Sequence, residues 1–166
     1  MHGLIRSADT IEHVVVFEFM IDNMKVGIEA GDNICQNFKI LFLFIGDSRD
    51  KQQYVDYVND NAILNKHIKF LGYLDNPLPI FLASDLFLFT SIWEGMPNVV
   101  LESLACSTDV IATTECGGVS EIINNKHLAV VKPGIEFVQA MDNVIIKNKD
   151  KLGKNLLNTS FDISNV

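Results

Sequence analysis

Short runs of nearly continuous apolar residues punctuate this sequence, among them Val14-Val15-Val16-Phe17, Ile40-Leu41-Phe42-Leu43-Phe44-Ile45 and Leu86-Phe87-Leu88-Phe89. A strand with one wet face alternates apolar and polar side chains, whereas an unbroken run belongs to a strand buried on both faces, as in parallel sheets. Between the runs lie stretches with a helical period, such as Tyr54, Val55, Val58, Ala62 and Ile63. Strands alternating with helices at this spacing predict an α/β domain: a Rossmann-like, doubly wound parallel sheet of about six strands, covered on both faces and joined by right-handed connections.

In chain order the pattern predicts strands over 13–19, 38–45, 67–72, 85–90, 109–113 and 127–131. Helices are predicted over 23–35, 50–65, 75–84, 136–146 and 151–157, with a helical turn over 119–124 and a loose tail over 158–166. One more helix starts at Pro97 or Asn98, because proline suits a first turn that needs no N–H. Its buried face is expected to carry Val100, Leu101, Leu104 and Ala105. No internal repeat or boundary interrupts the chain, which reads as a single domain over 1–166. In such sheets ligands lie outside the carboxyl ends of the strands, near the point where strand order reverses. Gly46, the Gly72-Tyr73 pair, and the segments 91–98 and 114–118 all follow strands, so they are expected to meet on that edge. A dinucleotide-binding dehydrogenase would use the same edge, but it needs a glycine-rich turn after the first strand, and 17–23 contains no glycine.

The stretch from Ser91 to Ile123 holds the most chemistry. The helix after Pro97 should leave its first N–H groups pointing out of the preceding loop, a ready site for a phosphate. Two carboxylates flank it: Glu94 just before the Gly-Met-Pro turn and Glu102 about one turn into the helix. A carboxylate beside a phosphate site repels the phosphate unless it addresses another part of the ligand, and carboxylates accept well from vicinal hydroxyls. A ligand with phosphates in the middle and hydroxylated rings at both ends, such as a nucleotide sugar, satisfies all three groups. The bland alternative makes Glu94 a turn residue near a favourable helix dipole and Glu102 a solvated helix residue.

The wording of this stretch, Glu94-Gly95-Met96-Pro97-Asn98 with Glu102 after it, resembles the signature of the retaining glycosyltransferases of family 4, in which seven residues separate two glutamates. The resemblance continues through Ala105-Cys106, Val110-Ile111-Ala112-Thr113, Gly117-Gly118 and Glu121-Ile122-Ile123. It implies the C-terminal, donor-nucleotide-binding half of the two-domain GT-B architecture, without the N-terminal acceptor domain. It further implies that Glu94 acts in catalysis by holding donor-sugar hydroxyls and that Glu102 bonds the ribose. By the same carry-over, Ser91, Gly95, Met96, Pro97, Asn98 and Val99 line the diphosphate and sugar. Gly118 and Val119 let the backbone approach the ligand, and Gly46 ends the second strand. Gly72 and Tyr73 lie beside the base, where Tyr73 either stacks or merely packs.

Two departures from the family stand out. Phe17 and Asp22 occupy the positions where the family places an Arg and a Lys against the phosphates, with Lys25 as the nearby substitute if the register slips. Ser107 and Asp109 stand where the family favours Gly and Pro. The implied partners are a nucleotide-diphosphate sugar, a glycan or lipid-linked acceptor, and an acceptor domain that would have to come from a separate chain if it is not joined to this one. The implied role is hexosyl transfer in bacterial surface polysaccharide synthesis, inactive in the isolated domain. The alternative is a non-catalytic nucleotide-sugar-binding or assembly module.

Charge and composition narrow the field further. Lys plus Arg number 13 against 21 Asp plus Glu, a net charge of −8 that repels polyanions, so nucleic acid is not an expected partner. With 48% hydrophobic residues the chain is not expected to be disordered. Cys35, Cys106 and Cys116 are odd in number and lack zinc-site spacing; Cys35 and Cys106 lie in apolar segments, where buried free thiols are the usual outcome. A reducing cytoplasm fits, or the inner face of the cell membrane as a peripheral site, since no run approaches the roughly 20 apolar residues of a membrane span and the start lacks a secretory signal. His2, His13, His67 and His127 are scattered and there is no Asp-x-Asp pair, so no metal and no cofactor beyond the donor is expected.

Overall fold

Runs that are apolar on both sides require cover on both sides, and the computed structural model, which describes residues 13–18, 39–47, 51–91, 97–122 and 125–148, supplies it. Six parallel strands form one sheet in the order β3-β2-β1-β4-β5-β6. They are β1 (His13–Glu18), β2 (Ile40–Ile45), β3 (Ile68–Gly72), β4 (Leu86–Phe89), β5 (Asp109–Thr113) and β6 (Leu128–Val131). The helices are α1 (Lys51–Asp60), α2 (Leu64–His67), α3 (Leu78–Leu82), α4 (Asn98–Ala105) and α5 (Ile135–Asn148), with a 3-10 turn at Val119–Ile122. Alternate side chains of the sheet enter two cores. Val15, Phe42, Phe44, Leu88 and Ile111 meet Val58 of α1, Leu64 of α2 and Phe137 and Met141 of α5. Val16, Leu43, Phe87, Phe89 and Val110 meet Ile80 and Phe81 of α3, Val100 of α4 and Val119.

The chain steps outward from β1 to β3 and then returns to set β4 against the other side of β1, where Val16 pairs with Phe87. Strand order therefore reverses between β1 and β4. Asp85 fixes the start of that junction: its carboxylate accepts from the Val14 N–H at 2.8 Å, and its own N–H donates to the Val14 carbonyl at 2.9 Å.

Several elements are shorter than the periodicity predicts, for local reasons. The helix expected over 50–65 breaks after Asp60, because the Asn61 side chain accepts from the N–H groups of Ile63 and Leu64 at 3.0 and 3.2 Å and starts a separate turn. Ala62 is exposed and Ile63 is 46% exposed, so neither joins the core. Asn76 likewise accepts from Leu78 N–H at 3.2 Å and delays α3 beyond residue 75. On α4 the buried positions are Val100 and Ser103, while Leu101 and Ala105 are exposed, contrary to the expected face. Residues 100, 103 and 104 share one helix face, and each next residue is rotated by about 100° away from it. The predicted helices over 23–35 and 151–157 and the tail over 158–166 lie outside the described residues.

α4 ends in a Schellman motif, with Thr108 N–H bonded to Ser103 C=O at 3.2 Å and Ser107 N–H to Leu104 C=O at 3.0 Å. That geometry puts Ser107 at φ 61°, the left-handed region where glycine has no Cβ penalty. Ser107 is therefore a strained serine in a common helix-ending turn. Ser107→Gly is expected to raise stability by about 0.5–1 kcal/mol, read as a higher urea midpoint with an unchanged slope.

Candidate functional site

Because every strand is parallel, each turn that follows a strand reaches the same edge of the sheet. Gly46 leaves β2 at φ 101° and donates its N–H to the Gly72 carbonyl at 2.7 Å. Gly72 closes β3 at φ 77°, where the register with β2 shifts between Phe44 and Ile45 so that Ile45 stands opposite it. Both positions call for glycine on backbone grounds. Tyr73 follows and is 77% exposed, so its ring stands in solvent and is not packed into the core. Beside it, Lys51 opens α1 and leans over Gly72: its Nζ lies 3.7 Å from where a Cβ on Gly72 would sit and 3.7 Å from Asp47 Oδ1. Sequence reasoning passes over Lys51; the only hint is its position four residues beyond Asp47 after a glycine turn.

The next part of the edge follows β4. Thr90 and Ser91 are buried there despite being polar. Pro97 is extended, with φ −77° and ψ 98°, and its carbonyl accepts from Val100 and Leu101 N–H at 3.1 and 3.4 Å. The N–H groups of Asn98 and Val99 then have no acceptor inside the helix. Glu102 is exposed one turn further on. Burial, and secondarily the Glu102 charge, push the Cys106 thiol above its usual range.

The third part follows β5. Thr114 N–H bonds the Val131 carbonyl at 2.8 Å, the chain turns through Gly118 at φ 69°, and the fully buried Val119 starts the 3-10 turn. Cys116 ties this loop to β4, with its Sγ 3.5 Å from the Phe89 carbonyl and 3.2 Å from Thr113 Oγ1. Cys116 is thus the buried thiol, whereas Cys106, expected to be buried, is half-buried; Cys35 lies outside the described residues.

The parallel sheet thus carries Gly46, Gly72, Tyr73, Ser91, Pro97, Asn98, Val99, Glu102, Gly118 and Val119 on strand-end turns or the helix that follows them. Glu94, Gly95, Met96, Asp22 and Lys25 lie outside the described residues. Phe17 pairs with Phe44 and Leu88 within the sheet. Two histidines sit at the opposite edge: His67 Nδ1 is 2.7 Å from the Ile40 carbonyl, and His127 Nδ1 is 2.7 Å from Asp109 Oδ1. Among the described residues no helix is long and apolar enough to cross a membrane.

A sequence profile for the family described as Glycosyl transferases group 1 matches residues 12–147. The chain belongs to that family. It is 46% identical over 119 residues to TuaC of Bacillus subtilis, a putative teichuronic acid biosynthesis glycosyltransferase, a match covering 72% of this chain and 28% of that one. It is 24% identical over 169 residues to the Campylobacter jejuni GalNAc-alpha-(1->4)-GalNAc-alpha-(1->3)-diNAcBac-PP-undecaprenol alpha-1,4-N-acetyl-D-galactosaminyltransferase, covering 93% of this chain and 46% of that enzyme. Its fold is similar to that of Anabaena Alr3699/HepE in complex with UDP, with a TM-score of 0.69 at 22% identity over 95% of this chain and 47% of HepE. The chain therefore spans about half or less of each protein it matches, and its sheet is the Rossmann-like kind of GT-B glycosyltransferases.

Proposed function

We propose that this chain is the donor-binding half of a retaining, family 4 type glycosyltransferase that works at the cytoplasmic face of the membrane in surface polysaccharide synthesis. The observation that carries this reading is the convergence of three positive-φ glycine turns and the amino end of α4 on one edge of the sheet, around the β1/β4 reversal. The diphosphate lies against the first-turn N–H groups of Asn98 and Val99, the ribose hydroxyls bond to Glu102, and the sugar is held by Glu94. In the transfer, the bond from the sugar's anomeric carbon to the diphosphate oxygen breaks. A bond from an acceptor hydroxyl forms on the same face, and the hydroxyl proton passes to the departing phosphate. The α4 amino end stabilises the charge that develops on the leaving group. No metal is needed in this scheme, so chelator should leave donor binding unchanged. The names of TuaC and the Campylobacter enzyme support a glycan or lipid-linked acceptor, and the half-length match supports an acceptor site supplied by a second domain or chain.

Calorimetric titration with UDP and GDP, free and as sugar conjugates, tests the reading. Glu102→Ala is expected to weaken nucleotide binding about tenfold, as loss of a charged hydrogen-bond acceptor does. Equal affinity in variant and parent would remove the ribose contact. Phe17 at the usual arginine position favours a second reading, a binding or assembly module without turnover. The two separate on whether a nucleotide sugar, once bound, is consumed when an acceptor domain is supplied.

A further inference from the structure

Three inter-strand spacings separate the proposed diphosphate position from the Gly72 end of the edge, because β4 and β3 flank β1 and β2 in the sheet order. At about 4.8 Å per strand this is about 14 Å, too far for a lysine placed over Gly72 to neutralise the diphosphate. It is the region a nucleoside reaches from its phosphate. We infer that Lys51 is a specificity-determining residue of the donor site: its ammonium donates a hydrogen bond to the oxygen at the 4-position of a bound pyrimidine or the 6-position of a bound purine, which selects keto bases over amino bases. This rests on the donor-binding reading above.

The arrangement suits that task. Lys51 is 29% exposed, and its Nζ stands beside Gly72, where the absent side chain leaves the strand end open. Asp47, 69% exposed, lies on the outer side at 3.7 Å, an ion-pair distance beyond hydrogen-bond length. It steadies the ammonium, which carries three N–H donors. The exposed ring of Tyr73 next to Gly72 offers a flat apolar face for a base. A lysine ammonium only donates. Uracil and guanine present a carbonyl oxygen where cytosine and adenine present an amino group, and an amino group turned toward an ammonium meets a second donor. A site built on a donor rejects a partner that lacks the acceptor far more strongly than a packing difference does.

The test compares UDP, GDP, CDP and ADP on the full chain and on Lys51→Met, which keeps the apolar stem, and Lys51→Arg, which keeps a donor; thermal melting of each variant checks the fold. The parent is expected to bind UDP or GDP about tenfold more tightly than CDP and ADP. Lys51→Met is expected to bring all four within about twofold, and Lys51→Arg to restore most of the preference. An unchanged preference in Lys51→Met, or an equal weakening of all four nucleotides by a general charge effect, overturns the inference while leaving the donor site standing. Failure of the parent to bind any of the four overturns the donor reading, and this inference with it.

Discussion

Phe87→Ala is expected to cost about 3–5 kcal/mol of folding stability, the range for emptying a fully buried aromatic site. Phe87 is 0% exposed at the centre of β4. Its ring meets Phe81 of α3 edge-on at 5.0 Å and Phe89 at 6.1 Å, so truncation removes two aromatic contacts along with the buried area. The strand cannot move to fill the gap, because it is paired on both sides, with Val16 of β1 and with Val110 of β5. Against a typical domain stability of about 5–15 kcal/mol, such a loss brings the chain close to unfolding at room temperature. Urea titration followed by circular dichroism should show the midpoint falling by about a fifth or more. A midpoint within a tenth of the parent's would mean that the β4 core is less tightly packed than the geometry requires.

The second large effect is a dependence on pH. Burial raises the Asp85 carboxyl from 3.8 to about 7, opposed only by the Val14 N–H that it accepts. The folded chain therefore keeps a proton that the unfolded chain gives up. The stabilising contribution is complete below the unfolded value of 3.8 and is lost as pH rises through about 7. At about 1.4 kcal/mol per unit, the parent should lose about 2 kcal/mol between about pH 5.5 and about pH 8.5 from this group alone. Asp85→Asn keeps an acceptor for Val14 and removes the titration. Its advantage over the parent should grow by about 2 kcal/mol from the acidic end of that window to the alkaline end. Comparing variant with parent cancels the many carboxylates they share, and parallel stability profiles across that window would exclude the effect.

Burial on both faces could be read directly from letters such as those of β2, where every residue is apolar. Helix ends were less legible wherever an asparagine side chain bonded its own backbone, as at Asn61 and Asn76, since apolar periodicity is blind to such competition. The inner face of α4 was misjudged because Val99, Val100, Leu101, Leu104 and Ala105 form an apolar band too wide to reveal which part turns inward, and the buried member at 103 is a serine. Its hydroxyl is fully buried without a hydrogen-bond partner, which no pattern of apolar residues could announce. For the site, the glycine turns were visible as punctuation after strands. Lys51 was not, because its place over Gly72 depends on the shift between β2 and β3, a property of two chain segments aligned in space.

Parallel strands also set this protein's buried or paired carboxylates apart from its glycine turns. Asp85 and the Asp109–His127 pair lie where strands begin, while Gly46, Gly72 and Gly118 lie where strands have ended. Four to six residues of extended backbone, about 13–20 Å, hold the two sets apart. Thermostability can then be tuned without touching the strand-end turns, so an engineer could harden the lower rim for heat or alkali and leave the upper one as it stands.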